Sequence, residues 1–199
     1  MNSVQPEQGE PGRAKRLKAA THGTHDRLDR SIMAAASFAT IEGYRRFAEI
    51  QYHLHHAVAP LYADARLQAL LPGLEGRQRL ALIAADLADA GSAIPAVDDA
   101  SGPDGDVATG LGWLYVVEGS NMGAALLRKE AAKIGLSDDY GARHLAPAEA
   151  GPAAHWRAFT AALDAVVLDP EEEARVVAGA NAAFAHVQAL VDDRLSAAL

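Results

Sequence analysis

Apolar residues in the first third of the chain recur at helical spacing. Leu17, Thr21, His25, Leu28 and Ile32 form one stripe flanked by charges between Arg13 and about Met33, which predicts a first amphipathic helix. Thr40 has the chemistry of an N-cap for a second helix, kept largely buried by Tyr44, Phe47, Ile50, Tyr52, Leu54 and Val58. Pro60 is expected to kink or restart that helix near its end. After the punctuation "LPGLEG" at 71–76, Leu80, Ile83, Ala84 and Leu87 mark a third amphipathic segment that ends at Gly91. The loop "GSAIPAVDDASGPDGD" follows, polar and turn-rich, with only a short helical start. The longest apolar-periodic region predicts one helix from about Val107 to Ile134, closed by Gly135. Another helix is expected around 155–166. A last one starts at "LDPEEEARVV", where Asp169 is an N-cap, Pro170 takes the first helical position and three glutamates meet the positive end of the helix dipole.

No stretch alternates with period two for long and alanine is abundant, so the pattern predicts an all-α single domain over 13–199, after a polar, flexible leader over 1–12. Half of the 199 residues are hydrophobic, enough for one sizeable core. A formal net charge of −8 argues against a general grip on nucleic acid or anionic lipid. The leader has no apolar segment of signal or anchor type, so no membrane association and a cytoplasmic location are expected. There are no cysteines, which removes disulfides and thiolate-ligated metals and leaves eight histidines as candidate ligands.

His25 lies on the apolar stripe of the first helix, with its ring expected to point into the fold and Asp29 one turn further along. Asp29 leans back towards it and is placed to accept a proton from the ring nitrogen not used for a ligand. A core histidine satisfied by Asp29 and a metal-binding imidazole both fit that spacing. His53, His55 and His56 read as structural or surface residues, because the Glu-x-x-His and His-Glu-x-x-His spacings of metal sites are absent. No nucleophile elbow, phosphate loop or dinucleotide fingerprint is present. Gly112, Gly119 and Gly123, at offsets of seven and four, fall near one line of a single helix face. Each costs about 1 kcal/mol relative to alanine, so something needs close approach to that backbone: a tight helix crossing, or a flat ligand.

The motif "LKAATHGTH", ending on His25, resembles the proximal helix of the bacterial heme oxygenases, and "GWLYVVEGSNMGAA" resembles their glycine-rich distal helix. "QYHLHHAVAPLY", "YGARHLAPAEAG" and "ANAAFAHVQALVDD" extend the similarity over nearly everything after the leader. The resemblance implies a helical sandwich with haem b, both substrate and cofactor, held between proximal and distal helices. It implies that His25 ligates the iron with Asp29 behind it, and that Gly119 and Gly123 press bare backbone over the distal face, leaving room for O2. Many members carry an aspartate after the first distal glycine; Ser120 stands there in this chain, so an aspartate-based water relay does not transfer. Lys18 and Tyr115 match residues that grip the haem propionates, a seating that goes with the α isomer of biliverdin. The implied reaction opens haem to biliverdin with release of CO and ferrous iron, using electrons from an external donor. The implied partners are a reductase or ferredoxin, steered to the basic stretch of Arg13, Lys15, Arg16 and Lys18 with Arg27 and Arg30, and a downstream biliverdin acceptor such as a bacterial phytochrome. A monomer is expected. The alternative is a non-catalytic haem or bilin carrier, which would gain nothing from a cramped, glycine-lined oxygen site.

Overall fold

Residues 11–35, 38–97 and 102–196 are described by a computed structural model, the side chains of 33–35 and 194–196 excepted. They form α1 (Arg13–Ala35), α2 (Ile41–Ala63), α3 (Ala65–Leu70), α4 (Leu80–Asp89), α5 (Val107–Ser120), α6 (Ala124–Lys133), α7 (Pro152–Ala165) and α8 (Pro170–Ser196). Short 3-10 turns lie at Glu75–Arg77 and Arg143–Leu145, and the β-type pairing among the described residues is confined to isolated bridges of Ser137 with Tyr140 and Gly141. The first ten residues, most of the expected leader, lie outside the description.

The ends of the helices follow their local chemistry. The Thr40 side chain accepts the Gly43 amide at 3.1 Å, capping α2. Asp169 Oδ1 accepts the Glu172 amide at 2.8 Å while Glu172 Oε2 accepts the Asp169 amide at 2.8 Å, a reciprocal capping box at the start of α8. The helix α2 runs through Pro60 to Ala63, and the restart comes at Asp64, whose carboxylate accepts the Arg66 amide at 2.8 Å and caps α3. Gly91, with φ +74°, follows α4. The described part of the loop after it carries no helix, and 98–101 lie outside the description.

The expected single helix over 107–134 is instead two. At its end the Met122 and Gly123 amides donate to Gly119 and Ser120 carbonyls at 3.0 and 3.1 Å, a three-residue bonding pattern that tightens the last turn before α6 restarts at Ala124. Gly119, Asn121 and Gly123 are poor helix formers packed into five positions, so continuation is locally unfavourable. Gly135 (φ +86°) then closes α6, its amide on the Ala132 carbonyl and the Leu136 amide on that of Ala131.

The core is built around α5, which is buried from Ala108 to Glu118 apart from a half-buried Thr109. Such a helix lies inside the fold. α8 lies along it, with α2, α3 and α7 around the remaining sides, and α1 packs on α8 and α7. A second apolar cluster of Tyr44, Phe47, Ile83, Leu87, Leu136 and Leu145 joins α2 and α4 to the segment after α6. The α5–α8 contact depends on two glycines. A Cβ on Gly112 would collide with the Val176 carbonyl and sit 2.6 Å from the Ala180 nitrogen, and one on Gly179 would collide with the Thr109 carbonyl. Gly112 therefore belongs to a small-residue helix crossing.

Different tolerances follow. Gly112→Ala must separate two backbones, and overpacking of this kind costs about 1–3 kcal/mol, so the melting temperature should fall by roughly 2–12 °C. In Gly119→Ala, by contrast, the added Cβ meets only the Trp156 ring at 3.4 Å, and the protein should melt within roughly 2 °C of wild type. Calorimetry of both variants checks the pair.

Candidate functional site

His25 stands on α1 with its side chain 56 % exposed, so it is not a core histidine. The expected inward orientation is corrected: α8 flanks one edge of the ring, Phe184 lying 5.9 Å away edge-on, and the other side is open. Its Nδ1 is 3.2 Å from Asp29 Oδ2 and 3.9 Å from Asp26 Oδ1. A carboxylate at Nδ1 favours the tautomer that carries its proton there, which leaves the Nε2 lone pair for a ligand.

The second predicted part of the site is the junction of α5 and α6. The three glycines do not share one role: Gly112 serves the crossing, whereas Gly119 and Gly123 lie beyond it at a partly open surface. An added Cβ on Gly123 would find only the Ser120 carbonyl, at 3.5 Å. Neither Gly119 nor Gly123 has positive φ. The folded chain thus has room for a Cβ at both, so close backbone packing does not require glycine at either. Ser120 is exposed, and its hydroxyl donates to the Val117 carbonyl at 2.7 Å, so it can accept from a neighbouring water but has no proton free to give one.

Tyr115, one turn before Gly119, is 9 % exposed and packs against Trp156 with ring centroids 5.6 Å apart. Burial pushes its phenol above the usual value, so it stays protonated and can only donate to an anion. Lys18 is exposed on α1, and no hydrogen bond joins it to Tyr115. Trp156 thus backs both Tyr115 and Gly119.

Two buried polar clusters surround this region, and sequence reasoning missed both. In one, Glu118 accepts the Tyr62 hydroxyl at 2.8 Å and Arg77 Nη1 at 2.9 Å. In the other, the fully buried Asp86 accepts the His144 amide at 2.9 Å and faces its Nδ1 at 2.7 Å, while Arg143 donates to it through both backbone and side chain. Burial would raise the Asp86 carboxyl, but its bonds to His144 and Arg143 hold it below the usual carboxylate range. His55, read as structural or surface, is buried; burial, with His144 and Arg79 nearby, lowers its pKa to about 3. The signal was available: Asp86 and Glu118 are carboxylates on otherwise apolar helix faces, where an unpaired charge is not tolerated.

The basic stretch is corrected in part. Arg13 is 5 % exposed, donating to the Leu163 and Val166 carbonyls and to Glu173, and Arg16 is paired with Glu173 at 2.9 Å. Both stitch α1 to α7 and α8. The exposed cations of α1 are Lys15, Lys18, Arg27 and Arg30.

With this geometry in view, comparison with known proteins is informative. A family model described as heme oxygenase matches residues 12–193. The heme oxygenase PigA of Pseudomonas aeruginosa is 40 % identical over 186 residues, which is 92 % of this chain and 94 % of that one. The crystal structure of the NO- and CO-bound heme oxygenase of Neisseria meningitidis superposes with a TM-score of 0.89 at 39 % identity, covering 94 % of each chain. That of a Synechocystis heme oxygenase in complex with heme, 15 % identical and covering 92 % of each chain, shares the fold at a TM-score of 0.73.

His55 also makes stability depend on pH. Above about pH 6.5 it is neutral in both folded and unfolded chains, but below that the unfolded chain binds a proton that the folded one refuses until about pH 3. Stability should therefore fall with falling pH, by roughly 1.4 kcal/mol per unit from this group. His155 and His186, both also lowered by burial, steepen the slope. Urea melts of wild type and His55→Gln between pH 6.5 and 4.5 should give a shallower dependence in the variant; parallel slopes would refute the assignment.

Proposed function

The chain belongs to the heme oxygenase family, whose members open haem to biliverdin, and on that premise we propose how its own residues serve that reaction. The observation that carries the reading is the pair of glycines at 119 and 123, where the fold would accept a Cβ and the chain has none. A flat substrate lying against that backbone gives the bareness a use. We assign His25 to the other side: its ring is largely exposed, and Asp29 engages Nδ1, which leaves Nε2 for a ligand. When bound, haem supplies both the iron that takes up O2 and the ring that is opened, with electrons from an external donor.

In this reading His25 holds the iron through Nε2, and Asp29 fixes its tautomer and orientation. The backbone at Gly119 and Gly123 would lie against the other face, excluding bulk water while leaving space for a small ligand. Ser120, with its proton committed to Val117, accepts from ordered water at the edge of that space. Lys18 supplies a charge-assisted contact and neutral Tyr115 a hydrogen bond to the two propionates, fixing the in-plane rotation of the ring. The seating so fixed would select the meso carbon that is oxidised, and we assign the α isomer of biliverdin, with CO and ferrous iron as the other products. A haem or bilin carrier is not favoured, since the relatives that match nearly the whole chain are oxygenases.

An acidic reductase or ferredoxin is the electron donor of this reading, drawn to Lys15, Lys18, Arg27 and Arg30 on the helix that carries His25. The released biliverdin passes to an acceptor such as a bacterial phytochrome. The reading takes the protein as a cytoplasmic monomer, and no described helix is long and apolar enough to cross a membrane.

Two variants and the product test the core of the reading. His25→Ala should change the visible spectrum of the haem complex and lower turnover by about 100-fold or more, with partial rescue by imidazole. Gly123→Leu should fold and bind haem but turn over at least about tenfold more slowly. Chromatography of the wild-type product should show the α isomer, and Lys18→Ala with Tyr115→Phe a mixture. An unchanged spectrum and rate in His25→Ala would remove that residue from the site, and a dominant β or δ product from wild type would remove Lys18 and Tyr115 as the determinants of seating.

A further inference from the structure

Glu118, the residue immediately before the bare segment, is the only charged residue on the buried stretch Ala108–Glu118 of α5. Its side chain is 1 % exposed and both oxygens are engaged: Oε1 accepts from Tyr62, and Oε2 accepts from Arg77 and lies 3.6 Å from His155 Nε2. These partners come from α2, the turn at 75–77 and α7, so one carboxylate ties three elements to the last turn of α5. Arg77 is itself braced, its Nη2 donating to the His155 carbonyl at 3.1 Å and its guanidinium lying 5.5 Å from the Phe159 ring centroid. Burial pushes the Tyr62 phenol well up, and burial with the Arg77 charge holds His155 down, so both are neutral; Arg77 is the cation bonded to the carboxylate, and Arg79 lies close enough to act on it through its charge.

Stability alone is a poor reason for this arrangement, because a buried ion pair is often matched or bettered by apolar residues of the same shape. Directional bonds give something leucine does not, which is a fixed position. The segment that follows has few means of holding itself: Gly119 and Gly123 have no side chains, and Ser120 is exposed. Its place must be set from a neighbour, and Glu118 is the adjoining residue with bonds to the rest of the fold.

We propose that Glu118 is a positioning residue, whose anchorage to Tyr62, Arg77 and His155 sets the height of the Gly119–Gly123 backbone over the substrate and thereby the rate and site of ring oxidation. The proposal rests on the reading above of which segment faces haem, and the Gly123→Leu variant tests that reading separately.

Glu118→Leu, Glu118→Gln and, as a control, Leu87→Ala, which removes a fully buried side chain of α4 in the other cluster, provide the test. In the haem-free protein, amide hydrogen exchange at 118–123 should quicken about tenfold or more in Glu118→Leu, with α1 unaffected. With haem, kcat should fall about 10- to 100-fold while KM stays within about twofold, and the biliverdin isomers should broaden. Glu118→Gln keeps an acceptor for Tyr62 and should fall between. If Glu118→Leu does not fold, Tyr62→Phe removes one hydrogen bond and little volume, and exchange at 118–123 should still rise about fivefold. Leu87→Ala should lower stability and leave both the exchange at 118–123 and the isomer ratio as in wild type. Unchanged exchange, faster exchange with wild-type rate and product, or full reproduction of the effects by Leu87→Ala would each overturn the proposal.

Discussion

The structure depends on the direct contact of two helix backbones, α5 and α8, at Gly112 and Gly179. Because neither position carries a Cβ, Val176, Thr109 and Ala180 main-chain atoms lie where side chains would otherwise stand. That closeness places α5 inside the molecule, where Leu111, Leu114 and Val117 are fully buried. It also brings α8 near enough to support α1, through Phe184 against His25 and Asn181 within 3.3 Å of Thr24. The helix that carries His25 and the helix that leads into Gly119 thus both pack on α8.

Burial of polar groups then does what apolar packing does not. Leucine and valine contacts tolerate small shifts, whereas Glu118 with Arg77 and Asp86 with His144 accept only narrow ranges of distance and angle. Arg13 acts similarly at the start of α1, joining it to the end of α7 and the beginning of α8. These bonds fall at helix ends and junctions, the places where a bundle held by oily contacts alone would be free to slide.

Much of this was legible in the chain. Thr40, Asp169, Pro170 and Gly135 mark helix ends through chemistry that acts over three or four residues, and the all-helical class follows from periodicity. The break at 121–123 was missed because apolar spacing continues across it, from Val117 through Ala124 to Ala131, while the local cost of Gly119, Asn121 and Gly123 decides the backbone. The pairing of His25 with Asp29 was visible because it spans one turn. The exposure of the His25 ring was not, since the stripe it shares with Leu17 and Leu28 is covered by α8 and α7 unevenly along its length. Arg13 looked like a surface cation for the same reason: its partners, Leu163, Val166 and Glu173, are about 150 residues away, beyond anything that spacing can reveal.

The glycines at 112 and 123 are the same residue under different kinds of selection. Loss of the first costs folding free energy, a quantity to which every part of the molecule contributes, so a better cap or a filled cavity elsewhere can restore what was lost. On the proposed reading, loss of the second leaves the fold intact and obstructs a particular volume of space, and no gain of stability elsewhere reopens it. Suppressors of a Gly112 lesion should therefore be scattered over the structure, while those of a Gly123 lesion should lie only where they move the backbone of that one turn.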